Sequence, residues 1–168
     1  MNAGDFYEKA KADNPGGLPN AYDDGGRLAA GFKGATGDCV TRAICIALGL
    51  DYRSTYDRLS QSNLTFWKLK AAKAKQPNRQ TMYERRAKAT ARNGISPKVY
   101  EPLLVEAGWV KVSLPKGSRL DALPTEGVLI VSLRGHLAVV DHGTIRDTYD
   151  SSYGYNRLAF HYWRRAAA

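Results

Sequence analysis

Cysteine and histidine are scarce in this 168-residue chain, which has two of the first and three of the second. Two cysteines cannot make a disulfide framework. Cys39 and Cys45 fall six positions apart on one predicted helix, roughly 9 Å along its axis, too far for a bridge. No CxxC and no Cys/His ligand spacing occurs, which argues against a zinc centre, so neither metal nor cofactor is expected. Free thiols fit a reducing compartment, or a protein that needs one of them reactive. No apolar run approaches the roughly 18 residues needed to cross a bilayer. The opening MNAGDFYEKAKADNPGG lacks the charged-then-apolar pattern of a secretory signal, and a cytoplasmic location is expected. Acid is also missing from one place: residues 61–98 hold ten Lys and Arg against a single carboxylate, Glu84. The net charge of +9 therefore belongs to that segment, the remainder being balanced.

What is present, 43 % hydrophobic and 24 % charged residues, describes an ordinary globular chain forming one domain over 1–168. Residues 1–37 are rich in Gly, Asn, Asp and Pro and read as a loop-rich lead-in, with a short helix at Asp5 to Lys11. Val40, Ala43, Ile44, Ala47 and Leu48 then repeat as an apolar helical stripe that Gly49 ends. Ser54 is placed to cap a second helix with Tyr52, Tyr56 and Leu59 on its face. From Leu64 to Arg92 the composition predicts two helices broken near Gln76-Pro77, the second stopped by Asn93-Gly94. Ser96-Pro97 starts another, which Gly108 ends.

Beyond it the period shortens to that of strands, at 109–113, 128–133, 137–140, 144–147 and 158–163. Asp141-His142-Gly143 makes a hairpin turn within this 109–163 sheet. Helices first and strands afterwards make an α+β domain.

Cys39 stands at the mouth of the first apolar helix, where unpaired N–H groups and the helix dipole favour a thiolate. Cys45 lies inside the helix and reads as a core thiol. A thiol hydrolase also needs a base and a group that orients it. His136 opens a strand after Arg134-Gly135, whereas His142 sits in a turn and His161 between Phe160 and Tyr162 in the last strand. Asp147 closes the strand paired with that of His136 and is the orienting candidate; Asp150 is its reserve. Asp38 could cap the helix, but its charge opposes thiolate formation next door.

GDCVTRAI followed by GHLAVVDHGTIRDTYDS resembles the papain-like cysteine peptidase superfamily. More specifically, it resembles small bacterial and phage proteins grouped with the bacteriocin-processing, double-glycine peptidases. The likeness to the NlpC-type and CHAP-type peptidoglycan amidases is more distant. The resemblance implies a papain-like fold with the nucleophile helix packed on a C-terminal antiparallel sheet. It also implies Cys39 as nucleophile, His136 as general base and acid, and Asp147 as orienter, acting on an amide bond in a peptide or peptidoglycan-like substrate. A phage-encoded chain would work in the host cytoplasm or the virion. Where papain carries its oxyanion-hole glutamine, this chain has Lys33. The Cys39 N–H is then one oxyanion donor, with Thr36 or Lys33 as candidates for the other.

The basic segment gives a competing reading. Lys68, Lys70, Lys73, Lys75, Arg85, Arg86 and Lys88 could neutralise phosphates while Trp67 and Tyr83 stack bases. In that case the chain would be an inactive papain-like binding or virion-associated protein, with nucleic acid or an acidic protein as partner. No helix-turn-helix or zinc-finger signature supports reading of specific bases.

Overall fold

The computed structural model describes residues 18–34 and 36–167, so the helix expected at Asp5 to Lys11 lies outside the described residues. Four α-helices precede most of a six-stranded mixed sheet: β1 (Asn20–Tyr22), α1 (Cys39–Leu48), α2 (Tyr52–Ala72), α3 (Pro77–Ala87), α4 (Pro97–Glu106), β2 (Trp109–Ser113), β3 (Val128–Leu133), β4 (His136–Asp141), β5 (Thr144–Asp147) and β6 (Ala159–Arg165). The strand order is β1-β5-β4-β3-β6-β2. All neighbours run antiparallel except β1, which pairs parallel to β5. That edge strand comes from the lead-in, where three residues are too few to show a period; it turns the expected antiparallel sheet into a mixed one.

Two differences in the helices have local causes. The second helix runs unbroken for 21 residues instead of stopping before Leu64. No Gly or Pro interrupts it. Asn63, which could have competed for the helix backbone, instead sends its Nδ2 to the carbonyls of Arg86 and Ala89, both at 2.9 Å. Its N-cap is Asp51 and not Ser54: the Asp51 carboxylate accepts the Ser54 N–H at 2.9 Å. α3 ends at Ala87, and a 3₁₀ turn over Ala91–Asn93 carries the chain to Gly94, whose φ of 89° suits only glycine. α4 starts as expected, with Ser96 capping Lys98 and Pro97 in the first turn.

Both faces of the sheet are covered, and the strands accordingly read as near-continuous apolar runs. Ile130, Leu137, Val139 and Trp163 pack against the helices through Val40, Ile44, Leu59 and Leu104. The alternate residues Leu129, Val131, Ala138, Val140 and Ile145 form a second cluster under Leu120 and Leu123, from the loop between β2 and β3. Burial of two aliphatic layers supplies most of the driving force, at roughly 1.5–3 kcal/mol per fully buried large side chain. α1 lies over β4, which brings the first turn of a helix beside the first residue of a strand.

Candidate active site

Cys39 is the first residue of α1, so its backbone N–H belongs to the helix end that has no intrahelical acceptor. It is partly buried in the wall of a cleft of about 580 Å³, shared with Gly37, Gly94, Tyr100, His136 and Tyr149. Cys45, one and a half turns on, is buried with its thiol 3.8 Å from the Asp51 carbonyl. The two sulfurs diverge in acidity. Burial pushes the Cys45 thiol up to about 11. Burial pushes Cys39 up as well, but there it is outweighed. A hydrogen bond and the charge of His136, the Leu137 N–H and the Arg42 guanidinium together bring the Cys39 thiol below its ordinary value.

His136 and Asp147 meet because of strand register. β4 and β5 pair Val139 with Arg146 and Val140 with Ile145, so the same register places Asp147 two residues along from His136 on the same face. His136 Nε2 lies 2.6 Å from Asp147 Oδ2. A buried carboxylate flanked by donors accepts only, so Nε2 carries the proton and Nδ1 is the nitrogen left for Cys39. Burial disfavours the imidazolium. The hydrogen bond to Asp147 and the contact with Cys39 reverse that and raise the His136 pKa. Burial likewise opposes the Asp147 carboxylate, and donation by His136, the Ser151 hydroxyl and the Thr148 N–H holds it below its ordinary value. β1 covers this strand end from the other side, with Tyr22 opposite Asp147 and the Asp23 N–H donating to the Asp147 carbonyl at 2.9 Å.

Asp38 does not cap α1. Its carboxylate is 1 % exposed and turns away from the helix end. Arg27 Nε lies 3.1 Å from one oxygen and Arg42 Nε 3.1 Å from the other, and the Tyr52 hydroxyl donates at 2.5 Å. Two guanidiniums therefore balance the charge that would have opposed a Cys39 thiolate. Neither arginine is found by motif spacing. A signal for Arg42 does exist: a lone cation beside Val40, Ala43 and Ile44 on a buried helix needs a carboxylate partner.

Of the remaining candidates only Thr36 lines the cleft. The Thr36 hydroxyl donates to the Arg92 carbonyl at 2.9 Å, which leaves it no proton for an oxyanion in this arrangement. Lys33 is exposed, outside the cleft lining, and offers its carbonyl to Arg92. Asp150 turns onto its own loop, accepting from the Ser152 N–H at 2.9 Å and hydroxyl at 2.6 Å. His142 is exposed, and His161 lies 3.7 Å from Glu101 Oε1. One rim of the cleft is aromatic: the Tyr149 ring stands 5.3 Å from that of His136 and stacks on Tyr153, with Arg157 over the far ring.

The ten cations of the basic segment are all exposed, and among the described residues none takes part in an ion pair. The rings expected to stack bases serve packing instead. Trp67 is 5 % exposed, stacked on Tyr83 at 5.5 Å, with the Arg86 guanidinium 4.8 Å from its centre. Among the described residues no group of His, Cys, Asp and Glu is arranged to hold a metal, and no helix is long and apolar enough to cross a membrane. Comparison with protein-family models, curated proteins and solved structures finds no match, so the chemistry has to be argued from these side chains.

Proposed function

We propose that this chain is a cysteine-dependent hydrolase of amide bonds, with a papain-like arrangement of Cys39, His136 and Asp147. The observation that carries the reading is one hydrogen-bonded series. It runs from a helix-end thiol in a cleft wall to an imidazole, and from there to a buried carboxylate at 2.6 Å. Cys39 as thiolate attacks the carbonyl carbon, and the Cys39 N–H faces the oxygen that gains charge. The C–N bond breaks as His136 Nδ1 gives its proton to the departing amine, leaving a thioester. Water then loses a proton to the same nitrogen, adds to the thioester carbon, and the C–S bond breaks to return the thiolate and a carboxylic acid, which gives its proton to solvent. Asp147 keeps Nε2 protonated and Nδ1 directed at sulfur throughout. Peptide or peptidoglycan-like amides are the proposed substrates.

The test is iodoacetamide alkylation of Cys39 against pH. A low-pH midpoint that His136→Ala moves up to that of a free cysteine supports the reading; an ordinary midpoint in the unaltered protein rejects it.

A second reading is favoured by the ten exposed cations, none of which takes part in an ion pair among the described residues. In it the α2–α3 arm binds a polyanion, nucleic acid or an acidic protein surface, by charge alone. Salt-dependent retention on heparin that is lost in a Lys68→Gln, Lys70→Gln, Lys73→Gln, Lys75→Gln variant supports it, and unchanged retention rejects it.

A further inference from the structure

We propose that Arg42 is a positioning residue for Cys39, His136 and Asp147: its guanidinium, clamped between Asp38 and Asp147, fixes the carboxylate that aims the imidazole to the same helical turn that carries the thiol. This rests on the hydrolase reading above and goes beyond the three-residue arrangement.

The geometry is a closed ring of contacts. Arg42 follows Cys39 by three positions, one turn of α1, so both leave the helix on neighbouring faces. Its Nε lies 3.1 Å from Asp38 Oδ1, and its Nη1 lies 3.1 Å from Asp147 Oδ1 and donates to Thr148 Oγ1 at 2.5 Å. The Asp147 oxygens are thereby divided. Oδ1 takes Arg42 and the Thr148 N–H at 2.7 Å, while Oδ2 takes His136 and the Ser151 hydroxyl. Neither oxygen can swing without breaking a buried contact. The path from sulfur through imidazole, carboxylate and guanidinium returns to the helix it started from.

A buried cation is costly, and an apolar residue of similar size often serves stability as well or better. Arg42 is nonetheless only 9 % exposed at its side chain, within a buried run of the helix from Val40 to Cys45. What a guanidinium supplies there, and an aliphatic chain does not, is a planar cation that hydrogen-bonds Asp147 through Nη1 while its Nε edge pairs by charge with Asp38. It also adds a positive charge beside the thiolate.

The other charged and titratable groups around the pair do not duplicate this. Arg27, from the loop before α1, reaches Asp38 and the Gly34 carbonyl and, among the contacts of the described residues, makes none with Asp147. Tyr52 from α2 donates to Asp38, and burial first and that contact second hold its phenol above the tyrosine range. Tyr100 from α4 faces Cys39, and burial keeps its phenol neutral. Beyond β5, the Tyr149 hydroxyl accepts from Arg157 Nη1 at 2.9 Å, which directs that guanidinium to the rim.

The experiment measures the pH midpoint of Cys39 alkylation by iodoacetamide in the intact chain, for the unaltered protein, Arg42→Lys, Arg42→Met and His136→Ala. The His136 Nε2–H proton resonance is recorded alongside. Arg42→Lys keeps the charge and loses the fork. Its midpoint should rise, with alkylation at pH 6 slowed about tenfold and the rate at pH 9.5 nearly unchanged, because there both forms are thiolate. The downfield Nε2–H signal should broaden or vanish in the same variant. Arg42→Met should show both effects more strongly, and if it does not fold the lysine variant decides alone. An Arg42→Lys midpoint and Nε2–H signal equal to those of the unaltered protein would overturn the proposal while leaving the hydrolase reading intact. An ordinary thiol midpoint in the unaltered protein, indifferent to His136→Ala, would overturn the hydrolase reading and this inference with it.

Discussion

Replacing Gly25 by alanine tests whether the turn before α1 is seated on the helix as described. Gly25 has φ 64°, and a Cβ there would meet the Arg42 carbonyl oxygen at 3.0 Å, the Arg42 Cα at 3.2 Å and the Cys45 Cβ at 3.3 Å. Two costs add. Left-handed backbone disfavours any L-residue with a Cβ by about 1–2 kcal/mol. Forcing a methyl against packed backbone costs about 1–3 kcal/mol more. Gly49, at the end of α1, separates the two: its φ is 66° but nothing lies within 4 Å of its Cβ position. Gly49→Ala should therefore lose about 1–2 kcal/mol and Gly25→Ala about 2–5 kcal/mol. The change in unfolded-chain entropy is the same in both and cancels in the comparison. With a slope of about 2 kcal/mol per molar urea, the two midpoints should differ by about 0.5–1.5 M when unfolding is followed by tryptophan fluorescence. Because Arg27 leaves this same turn to reach Asp38, Gly25→Ala should also slow Cys39 alkylation at pH 6, and Gly49→Ala should not. Equal midpoints for the two variants would refute the close approach of the turn to α1.

Asp147→Asn removes the largest influence raising the His136 pKa, which falls; the Cys39 thiol then loses part of its cationic support and its pKa rises. Alkylation at pH 6 should fall by at least about tenfold while the rate at pH 9.5 changes little, since a depressed thiol pKa matters only below the ordinary cysteine value. Because burial holds Cys45 at about 11, mass spectrometry after brief alkylation of the folded protein at pH 8 should find the label on Cys39 alone, and on both after denaturation. Asn63→Ala removes two hydrogen bonds to part-buried carbonyls at and just beyond the end of α3 and should cost about 1–3 kcal/mol in urea unfolding, with faster amide exchange in α3 than in β3 or β4. His142→Ala alters an exposed turn residue and should leave both the alkylation profile and the urea midpoint unchanged.

Much of this was legible because each signal was local. The Cys39 stripe, the Ser96-Pro97 start and the strands at 109–113, 128–133 and 144–147 follow from short-range periodicity and capping, which act before tertiary contacts do. The proximity of His136 to Asp147 followed from a two-residue turn: His142 and Gly143 both adopt positive φ, which fixes the register across β4 and β5. What escaped notice depended on partners distant in the chain. β1 exists only because β5 offers an edge 125 positions away. Arg42 is explained only once Asp147, 105 residues on, is beside it. The burial of Trp67 depends on α3 folding back to place Tyr83 over it. Asp51 took the capping role from Ser54 because the helix starts one turn earlier than a cap at 54 would allow.

The three-residue strand β1 gives the candidate site a weak hinge line of its own. Its pairing with β5 holds few rungs, Tyr22 is 72 % exposed, and the Asp23 N–H bond to the Asp147 carbonyl closes its end. Edge strands this short open at a small fraction of the free energy needed to unfold the aliphatic layers beneath them. Peeling it back would admit water to the carboxylate behind His136 while β3, β4 and β6 stayed paired. Loss of reactivity on mild warming or in dilute denaturant would then precede any change in tryptophan emission.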